Sequence, residues 1–465
     1  MNERLNTNPS FGPLVWRLST LLLGVGLLVV GVGLLFSVLG LRAGLADFSS
    51  IALGLVTSAY FVGFVVGTFA CPVVIRKFGH IRAFAAMASL ASTMPILHAF
   101  WIDPWFWGVL RLITGICMVG LYIVVESWLN ALAPNALRGR LFAVYMAINF
   151  IALALGQWLI LVGDRLGFVP FAMVSVMFSF ALLPITMTEI DEPEPVEAPK
   201  FSLRNLYEAS PMGMAAAVAS GLMTGAFYGM SAVFGKSSGF SDADIASFMA
   251  ATILGGALFQ WPVGNFSDTH DRRVVLMWVC ILGAGATSGS YFLAGHSVVA
   301  MIPLALLCGG MLFSIYGLCV AHVNDVIDSS RLVEFTGGLL LLHGVGAAIG
   351  PILAGALMDV AGPSSLMLFY AAVMAALAMY TFKRLKVAGP VATEHKADFV
   401  AMGGGSQAVL HMDPRTTAED PSDSTPSNPE SNPDHPAGQP QDHHPTHPLD
   451  DSEHHPDPHD RNPHS

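Results

Sequence analysis

The chain has 465 residues, of which 53% are hydrophobic and 12% are charged, and its mean hydropathy is +0.59. Soluble domains carry about 25% charged residues, so this composition excludes an ordinary soluble protein. The net charge of −11 comes largely from an acidic C-terminal tail. The basic surface typical of a nucleic-acid-binding protein is missing, so we expect no nucleic-acid partner.

Between residues 14 and 385, long apolar runs alternate with short polar loops. A helix of about 20 apolar residues can cross a bilayer. Lipid forms no hydrogen bonds with backbone N–H and C=O groups, so a single spanning segment must be helical to pair them internally. The pattern predicts an all-α membrane protein with twelve transmembrane helices, at 14–40, 50–75, 83–101, 105–131, 140–162, 168–188, 211–234, 244–264, 273–294, 298–323, 334–358 and 365–384.

Lysine and arginine are distributed unevenly between the two sides of this predicted bundle. With the N-terminus in the cytoplasm, 18 of the 22 basic residues fall in cytoplasmic segments or the adjoining helix ends, and three fall on the opposite side. Because cytoplasmic loops carry an excess of Lys and Arg, both termini are predicted to be cytoplasmic.

The predicted helices divide into two sets of six that share sequence features. Four residues of the first half recur 194 positions later: Gly115 as Gly309, Tyr122 as Tyr316, Asn130 as Asn324 and Gly156 as Gly350. A constant offset indicates an internal duplication, and parallel six-helix halves are a known transporter architecture.

The predicted organisation is an N-terminal half at 1–188, a cytoplasmic linker at 189–210, a C-terminal half at 211–386 and a tail at 387–465. Prolines and acidic residues dominate the linker. The tail is rich in Pro, Asp, Ser and His and is predicted to be disordered. It holds ten of the 16 histidines, so metal binding there is an alternative to a simple solvated tail.

The sequence contains no arrangement typical of an enzyme or of a metal site. The five cysteines lie in or beside apolar runs without metal-binding spacing, so buried thiols are expected rather than disulfides. The glycines of the first two predicted helices precede no G-K-[ST] sequence and suit close helix packing. We therefore expect no catalytic centre, no cofactor, no bound metal and no ATP-driven pump.

Two short basic loops interrupt the apolar runs 192 residues apart. They read P-V-V-I-R-K-F-G-H-I-R at Pro72–Arg82 and G-N-F-S-D-T-H-D-R-R at Gly264–Arg273. With twelve helices in two halves, the second loop resembles the signature of the major facilitator superfamily, G-x-x-x-D-x-x-G-R-R. The resemblance covers residues 14–385. It implies two six-helix bundles around a central cavity and a role in membrane transport.

Both loops depart from that signature. In the second copy, Asp271 stands in place of the inner glycine. In the first copy, Pro72 replaces the glycine and Arg76 replaces the aspartate. Gly79 remains, and Arg82 follows two positions that lack arginine. The first copy is therefore the weaker match.

Further strings narrow the resemblance. Arg111-x-x-x-Gly115 resembles the helix-4 arginine motif of the superfamily. The strings V-E-S-W-L-N at Val125–Asn130, G-H-I-R-A at Gly79–Ala83 and G-P-I-L-A-G-A-L-M-D at Gly350–Asp359 are similar to the YcaD-like transporters. This resemblance implies a bacterial inner membrane and names no substrate.

Charge inside the fourth predicted helix makes that helix the main functional candidate, because charged residues are costly within a bilayer. Arg111, Tyr122 and Glu126 share one helix face. Arg111 and Glu126 lie about 22 Å apart along the helix, so they cannot pair. We predict that the face lines a cavity, that Glu126 exchanges a proton or holds a cation, and that Arg111 contacts an anionic group. The structural alternative is that Glu126 pairs with loop arginines such as Arg138 while Arg111 extends toward the membrane surface.

Polar residues in other predicted helices extend this candidate pathway. Tyr316 lies on the matching, uncharged face of the tenth helix, Asn149 and Gln157 lie on the fifth, and His343 matches Asn149 at the offset of 194. We predict that they face a central path for substrate or protons. Hydrogen bonds between packed helices, worth ~0.6 kcal/mol on average, are the alternative and are favoured for Gln157.

The basic loops are predicted to act as a gate rather than as a binding site. A loop carboxylate such as Asp268 can cap the N-terminus of a nearby helix and pair with arginine. Because Arg76 cannot do this, the two halves are expected to latch unequally. The simpler alternative is that these charges only fix topology. The predicted gate consists of Arg76, Gly79 and Arg82 in the first half and Gly264, Asp268, Arg272 and Arg273 in the second.

The sequence as a whole predicts a monomeric, multi-pass transporter of the bacterial inner membrane. It is expected to move a small molecule by alternating access, coupled to protons through Glu126. An ion-independent facilitator is the first alternative, and a membrane sensor built on a transporter scaffold is the second. The expected partners are a small-molecule substrate, protons and the lipid bilayer.

Overall fold

The computed structural model of the protein describes residues 11–164, 167–186, 193, 201–294, 297–327, 331–386 and 399. Within these ranges the chain is helical, with two short 3-10 turns and no strand. The α-helices are α1 (Phe11–Arg17), α2 (Ser19–Leu45), α3 (Ser50–Phe78), α4 (His80–Phe100), α5 (Pro104–Leu132), α6 (Arg138–Trp158), α7 (Val169–Thr186), α8 (Leu203–Ala209), α9 (Pro211–Ser237), α10 (Asp242–Thr269), α11 (Arg272–Leu293), α12 (Val298–Asn324), α13 (Leu332–Ala361) and α14 (Ser365–Leu385).

Twelve of these helices correspond one to one with the predicted spans, which confirms the all-α membrane fold. Eleven are long and apolar enough to cross a membrane, and α7 has a shorter apolar stretch at Val169–Pro184. The first span was predicted at 14–40, whereas the chain breaks at Leu18 and α2 continues to Leu45. The predicted end was therefore too early, since α2 continues past Arg42. A helix can continue past such a residue when its side chain reaches polar surroundings.

The predicted linker contains one helix that its composition does not reveal. Ser202 caps α8 by accepting a hydrogen bond from the backbone N–H of Asn205, and Leu206 is its one buried residue. A two-turn helix with a single apolar anchor is too short to show a helical period. The linker residues 189–192 and 194–200, and the tail at 387–465 other than residue 399, lie outside the described residues.

Short loops and polar caps determine where the long helices begin. Ser49, Asp103, Ser241 and Ser297 precede α3, α5, α10 and α12, and each side chain accepts a hydrogen bond from a backbone N–H in the first turn. Each cap satisfies one otherwise unpaired N–H group and stabilises its helix by about 1 kcal/mol. Short loops precede these caps, so the chain reverses direction before each of the four helices.

In the N-terminal half, two helix crossings bring backbone against backbone at glycine. Where α3 meets α5, a Cβ atom on Gly63 would overlap the carbonyl oxygen of Leu112, and one on Gly115 would overlap that of Tyr60. Where α2 meets α6, Gly156 lies in the same way against the carbonyl of Val30. Such contacts let helices approach closely where lipid supplies no hydrophobic drive.

The C-terminal half repeats both crossings with equivalent residues. Where α10 meets α12, Gly255 lies against the carbonyl oxygen of Leu306, and Gly309 lies against that of Thr252. Where α9 meets α13, Gly350 lies against the carbonyl of Leu222. The helix pairs of the two halves thus correspond, as the offset of 194 predicts for two pseudo-symmetric six-helix bundles.

The two halves meet along α3 and α13, which run antiparallel. Near the end of α13, the Asp359 carboxylate accepts hydrogen bonds from the backbone N–H groups of Ser50 (2.8 Å) and Ile51 (3.0 Å) at the start of α3. Both N–H groups lack partners within their own helix, and a negative charge suits a helix N-terminus. We call this end of the bundle the Asp359 side, and the end at which α10 finishes the Asp268 side.

Contacts between the halves continue from the Asp359 side to the middle of the bundle. Val65 of α3 lies against Gly344 of α13. The rings of Phe150 in α6 and Phe313 in α12 meet edge to face, with centroids 6.0 Å apart. A cavity lies between the halves beside these contacts.

We expect Gly309→Ala to lower the apparent melting temperature of the purified protein. Its new Cβ overlaps the carbonyl oxygen of Thr252 on a packed backbone, and overpacking costs about 1–3 kcal/mol. This exceeds the 0.5–1 kcal/mol that alanine typically gains over glycine within a helix. Gly285→Ala is the matched control, because a Cβ on Gly285 in α11 meets nothing within 4 Å. Equal melting temperatures for the two variants would contradict the packing argument.

We expect Asp359→Ala to speed amide hydrogen exchange in a peptide that covers the start of α3. The variant removes two charge-assisted hydrogen bonds, worth about 1.5–3 kcal/mol, so these amides should open roughly tenfold more often or more. Hydrogen–deuterium exchange mass spectrometry measures the rate. Glu334→Gln alters another carboxylate of α13, which pairs with Arg331 at 3.2 Å, and should leave that peptide unchanged. Unaltered exchange in Asp359→Ala would mean that the contact does not hold the halves together.

Candidate functional site

A cavity of about 150 Å³ lies at the centre of the bundle, between the two halves. Residues from α2, α3, α5 and α6 form one wall, and residues from α9, α12 and α13 form the other. Ten of the lining side chains are Phe or Tyr, and none of the described lining residues is Asp, Glu, Lys or Arg. The site is therefore a mostly apolar, aromatic chamber with a few polar groups, as is typical of small-molecule sites.

The residues predicted to form the pathway separate into three groups. Tyr122, Asn149, Tyr316 and His343 line the cavity. Arg111 and Glu126 lie one layer behind its wall, so the prediction that they line it directly is corrected. Gln157 lies outside the cavity altogether.

Arg111 is buried against aromatic rings rather than extended toward the membrane surface. It is 2% exposed, and its guanidinium carbon lies 4.5 Å from the ring centroid of Phe36 and 4.2 Å from that of Tyr60. Its Nε and Nη2 atoms have no hydrogen-bond partner among the described residues. The negative ring faces compensate part of its charge. Because both rings belong to the cavity wall, Arg111 adds a positive potential there without contacting the interior.

A hydroxyl group of the cavity wall connects Glu126 to the cavity. The carboxyl group is fully buried, and Tyr145 of α6 donates a hydrogen bond of 2.6 Å from its hydroxyl to Oε1 of Glu126. Tyr145 lines the cavity, as does Asn149, whose Nδ2 donates to the backbone carbonyl of Tyr145 at 2.8 Å. A change of charge at Glu126 would act first on the Tyr145 hydroxyl.

Gln157 takes part in helix packing. It accepts a short hydrogen bond from the hydroxyl of Ser37, and its Nε2 donates to the backbone carbonyls of Gly33 (3.2 Å) and Leu153 (3.1 Å). These bonds join α2 to α6 and satisfy the amide, which is fully buried. These are hydrogen bonds between packed helices, which is the alternative that the sequence favoured for Gln157.

Sequence reasoning missed several polar residues, of which three matter most for the site and for the contact between the halves. Tyr145 and Ser220 line the cavity, and Asp359 joins the halves. Tyr145 could have been found, because it lies four residues before Asn149 and so shares its helix face. Ser220 gives no such signal, since a serine in an apolar helix is common. Asp359 lies too near the end of its helix for its charge to indicate function.

The second basic loop forms an ion-pair network on the Asp268 side. Arg272 donates from Nε to the carboxylate of Asp325 at 2.7 Å, and from Nη1 to Asp268 at 3.0 Å and to Ser267 Oγ at 3.0 Å. The side chains of Arg272 and Asp325 are only 1% and 2% exposed. The network ties the ends of α10 and α12 to the start of α11. Sequence reasoning named Asp268 as the partner and did not include Asp325.

Asp271 occupies the position of the inner glycine of the signature, and the backbone conformation there does not require glycine. Its φ of −59° requires no glycine, and its side chain caps α11 by accepting a hydrogen bond of 3.0 Å from the backbone N–H of Arg273. Burial raises the pKa of the Asp271 carboxyl, but hydrogen bonds from Arg273 lower it by more, so the pKa lies below its usual range. At the corresponding point of the first copy, Gly79 has a φ of +82°, which favours glycine.

The first basic loop carries no equivalent network. Arg76 and Arg82 are exposed, and no carboxylate pairs with either of them in the part of the chain that the structure describes. His80, by contrast, is buried, and its ring lies 6.0 Å from that of Trp128. The two copies of the loop therefore differ in their ion pairing.

One described residue from beyond α14 contacts the second loop. The backbone N–H of Phe399 donates a hydrogen bond of 2.9 Å to Asp268, and its ring packs on Gly264, where any side chain would overlap it. Gly264, a predicted gate residue, thus provides the surface on which this aromatic ring rests.

Metal-ligating residues are not clustered in the described part of the chain, where no group of three His, Cys, Asp or Glu residues could hold an ion. The five cysteines are buried and free. The tail histidines, for which metal binding was an alternative, lie outside the described residues.

Comparisons with known proteins agree with the fold. A family model described as Major Facilitator Superfamily matches residues 21–316 and 213–411. An uncharacterised MFS-type transporter of Enterobacter sp. (strain 638) is 29% identical over 318 residues, which are 66% of this chain and 80% of the relative. The uncharacterised MFS-type transporter YcaD of Salmonella newport (strain SL254) is 28% identical over 321 residues, 68% and 81% of the two chains. These matches confirm the YcaD-like resemblance.

Solved structures share the architecture at low sequence identity. The nucleoside transporter NupG has a TM-score of 0.65 at 16% identity, over 80% of this chain and 99% of its own. A bacterial homolog of the human lysosomal transporter Spinster, in an inward-facing and occupied conformation, has a TM-score of 0.66 at 14% identity, over 84% and 99%. At such identities the likeness shows the fold.

We expect Asp325→Ala to lower the stability of the bundle by about 3 kcal/mol, because it leaves Arg272 buried without its closest counter-ion. Asp268 and Ser267 remain as partners, which places the cost at the lower end of the usual range. Thermal unfolding of the purified protein measures the change. Glu208→Gln breaks the exposed pair with Arg204 and should cost at most about 1 kcal/mol. Comparable losses in both variants would show that burial of the Arg272 pair does not matter.

Proposed function

Because the chain belongs to the major facilitator superfamily, we propose that it moves a small molecule across a bacterial inner membrane by alternating access, with protons as the coupling ion. The observation that carries the coupling is the hydrogen bond between the buried Glu126 carboxyl and Tyr145, a residue of the cavity wall. Through this bond a proton at Glu126 and a molecule in the cavity can influence each other.

The chemistry of a buried carboxyl group makes Glu126 suitable for this role. A carboxylate removed from water requires compensation from its surroundings, and a bound proton provides it. Tyr122 and Tyr145 are two titratable neighbours whose charge interacts with it. Protonated Glu126 therefore favours the arrangement in which it is fully buried, and deprotonation favours one in which water reaches it.

The placement of contacts between the halves supports alternating access. Asp359 and the glycine contacts hold α13 against α3 from the Asp359 side to the middle of the bundle. The Arg272 network lies within one half, on the Asp268 side. Rocking of one half against the other would break the Asp359 contact and leave the glycine crossings within each half intact.

The distribution of basic residues supports a cytoplasmic Asp268 side. The loops at Pro72–Arg82 and Gly264–Arg273 both lie there and carry Arg76, Lys77, Arg82, Arg272 and Arg273. Cytoplasmic loops carry an excess of Lys and Arg. Both termini are then cytoplasmic, and we propose that the protein functions as a monomer because each chain contains both walls of the cavity.

We expect the Asp359 side to open as the pH rises, in a manner that depends on Glu126. Spin labels on cysteines introduced at Leu45 and Val360, which are 45% and 89% exposed, report the separation of the halves there. Electron–electron resonance in lipid nanodiscs should show a longer-distance population that grows as the pH is raised. Glu126→Gln mimics the protonated form and should keep the short distance at every pH. The native cysteines are all buried, so labelling is selective.

Two variants sharpen this experiment. Tyr145→Phe removes the hydroxyl that bonds to Glu126 and should shift the midpoint of the pH response. Tyr228→Phe removes a cavity hydroxyl from the opposite wall and should leave the midpoint in place. An opening that depends on pH equally in Glu126→Gln would assign the coupling to another group. A distance that changes with neither pH nor any substrate-like molecule would argue against alternating access.

A further inference from the structure

The central cavity has two walls of different chemistry. The wall of the N-terminal half is dominated by aromatic rings, among them Phe61, Phe64 and Phe150. The wall of the C-terminal half contains three buried polar atoms with no hydrogen-bond partner among the described residues. These atoms, which we call the Ser220–Tyr316–His343 cluster, are Ser220 Oγ, Tyr316 Oη and His343 Nδ1.

The cluster converges from three different helices. Ser220, Tyr316 and His343 are 1%, 4% and 9% exposed, so each is more than nine-tenths buried. The rings of Tyr316 and His343 have centroids 4.8 Å apart. Gly221, adjacent to Ser220, packs on the backbone carbonyl of His343. Buried polar atoms in proteins almost always have a partner, and all three residues line the central cavity, where a ligand can supply one.

The charges around the cavity favour an uncharged ligand. No described lining residue carries a formal charge, and a charged group that leaves water without a counter-ion loses much free energy. Arg111 is shielded from the interior by the rings of Phe36 and Tyr60. Glu126 is covered by Tyr145. Neither charge can contact a molecule held between the walls.

The volume of the cavity and its aromatic side chains favour a ligand that contains a single aromatic ring. A cavity of about 150 Å³ is of the size that holds a molecule such as benzene. Aromatic side chains pack on ligand rings in offset-stacked or edge-to-face geometry with centroids 4.5–7 Å apart. The wall of the N-terminal half offers several such faces opposite the cluster.

We propose that the cavity binds an uncharged molecule built on a single aromatic ring, with hydrogen-bonding groups along one edge. Those groups bond to the Ser220–Tyr316–His343 cluster, while the ring packs on the aromatic wall of the N-terminal half. This inference rests on the proposed function in taking the bound molecule to represent the transported class. The binding itself can be measured without transport.

Three probes of the same ring and similar size test the charge and the edge chemistry. Benzamide is neutral, benzoate is an anion and benzylamine is a cation at neutral pH. Titration calorimetry and thermal shift on the full-length protein in detergent should show saturable binding of benzamide. Benzoate and benzylamine should bind at least tenfold more weakly. Stronger binding of either charged probe than of benzamide would overturn the proposal.

Substitutions in the cluster test where the probe binds. Tyr316→Phe and Ser220→Ala should each weaken benzamide binding about three- to tenfold, the effect of one lost hydrogen bond. Because neither hydroxyl has a protein partner, the melting temperature of the ligand-free variants should stay unchanged or rise. A purely structural hydroxyl would lower it. Tyr370→Phe and Ser231→Ala remove the same atoms from buried positions outside the cavity and should retain full affinity.

The outcomes separate this proposal from the proposed function. Failure of benzamide to bind up to its solubility limit, or full affinity in Tyr316→Phe and Ser220→Ala, would overturn the ligand class or its site. A pH-driven opening of the Asp359 side that persists in that case would leave proton-coupled transport standing. Benzamide binding that depends on the cluster, without any pH-driven opening, would support the ligand class and reject the coupling.

Discussion

The fold depends on glycines that let helix backbones touch. Within a bilayer, apolar side chains gain little by leaving lipid for protein, so helix association relies on close packing. At Gly115 and Gly309, and again at Gly156 and Gly350, the space of a side chain is occupied by the carbonyl oxygen of a neighbouring helix. The four positions form two pairs at the offset of 194, and each pair meets an equivalent helix. The duplication has therefore preserved backbone contacts, which tolerate no side chain, while the remaining surfaces diverged.

That shared frame carries different chemistry in its two halves. The N-terminal half holds Arg111 and Glu126 within the membrane-spanning part of α5, whereas the matching face of α12 has no charge. The C-terminal half holds its buried charge at the Asp268 side, in the pair between Arg272 and Asp325. Charges buried in a helix bundle need nearby compensation, so each arrangement needs its own neighbours. The helix packing depends on the glycine contacts and not on the residues that compensate each buried charge. Those residues can therefore differ between the two halves.

The helices and much of the cavity lining could be predicted from the sequence. The position of a side chain could not be predicted where it depends on which other helices pack against it. Tyr122 and Tyr316 line the cavity, and the sequence could indicate this because a helical period and a constant offset determine the face on which a residue lies. The position of Arg111 could not be predicted, because the rings of Phe36 and Tyr60 that separate it from the cavity belong to other helices. For the same reason the partners of Arg272 could not be enumerated. The loss of the inner signature glycine at Asp271 looked like a defect in sequence and is a helix cap in the structure.

Arg111 and Glu126 lie behind the aromatic wall of the cavity, which limits how a neutral ligand can affect a proton on Glu126. A ligand held between the walls contacts neither Arg111 nor Glu126, so it can act on them only through the side chains that cover them. Tyr60 stacks on the guanidinium and Tyr145 bonds to the carboxyl, and both line the cavity. A ring that displaces the Tyr145 hydroxyl by even 1 Å would weaken that hydrogen bond, because such bonds require donor–acceptor distances near 3 Å. Substrate specificity and proton affinity can then reside in separate layers that are joined by single side chains.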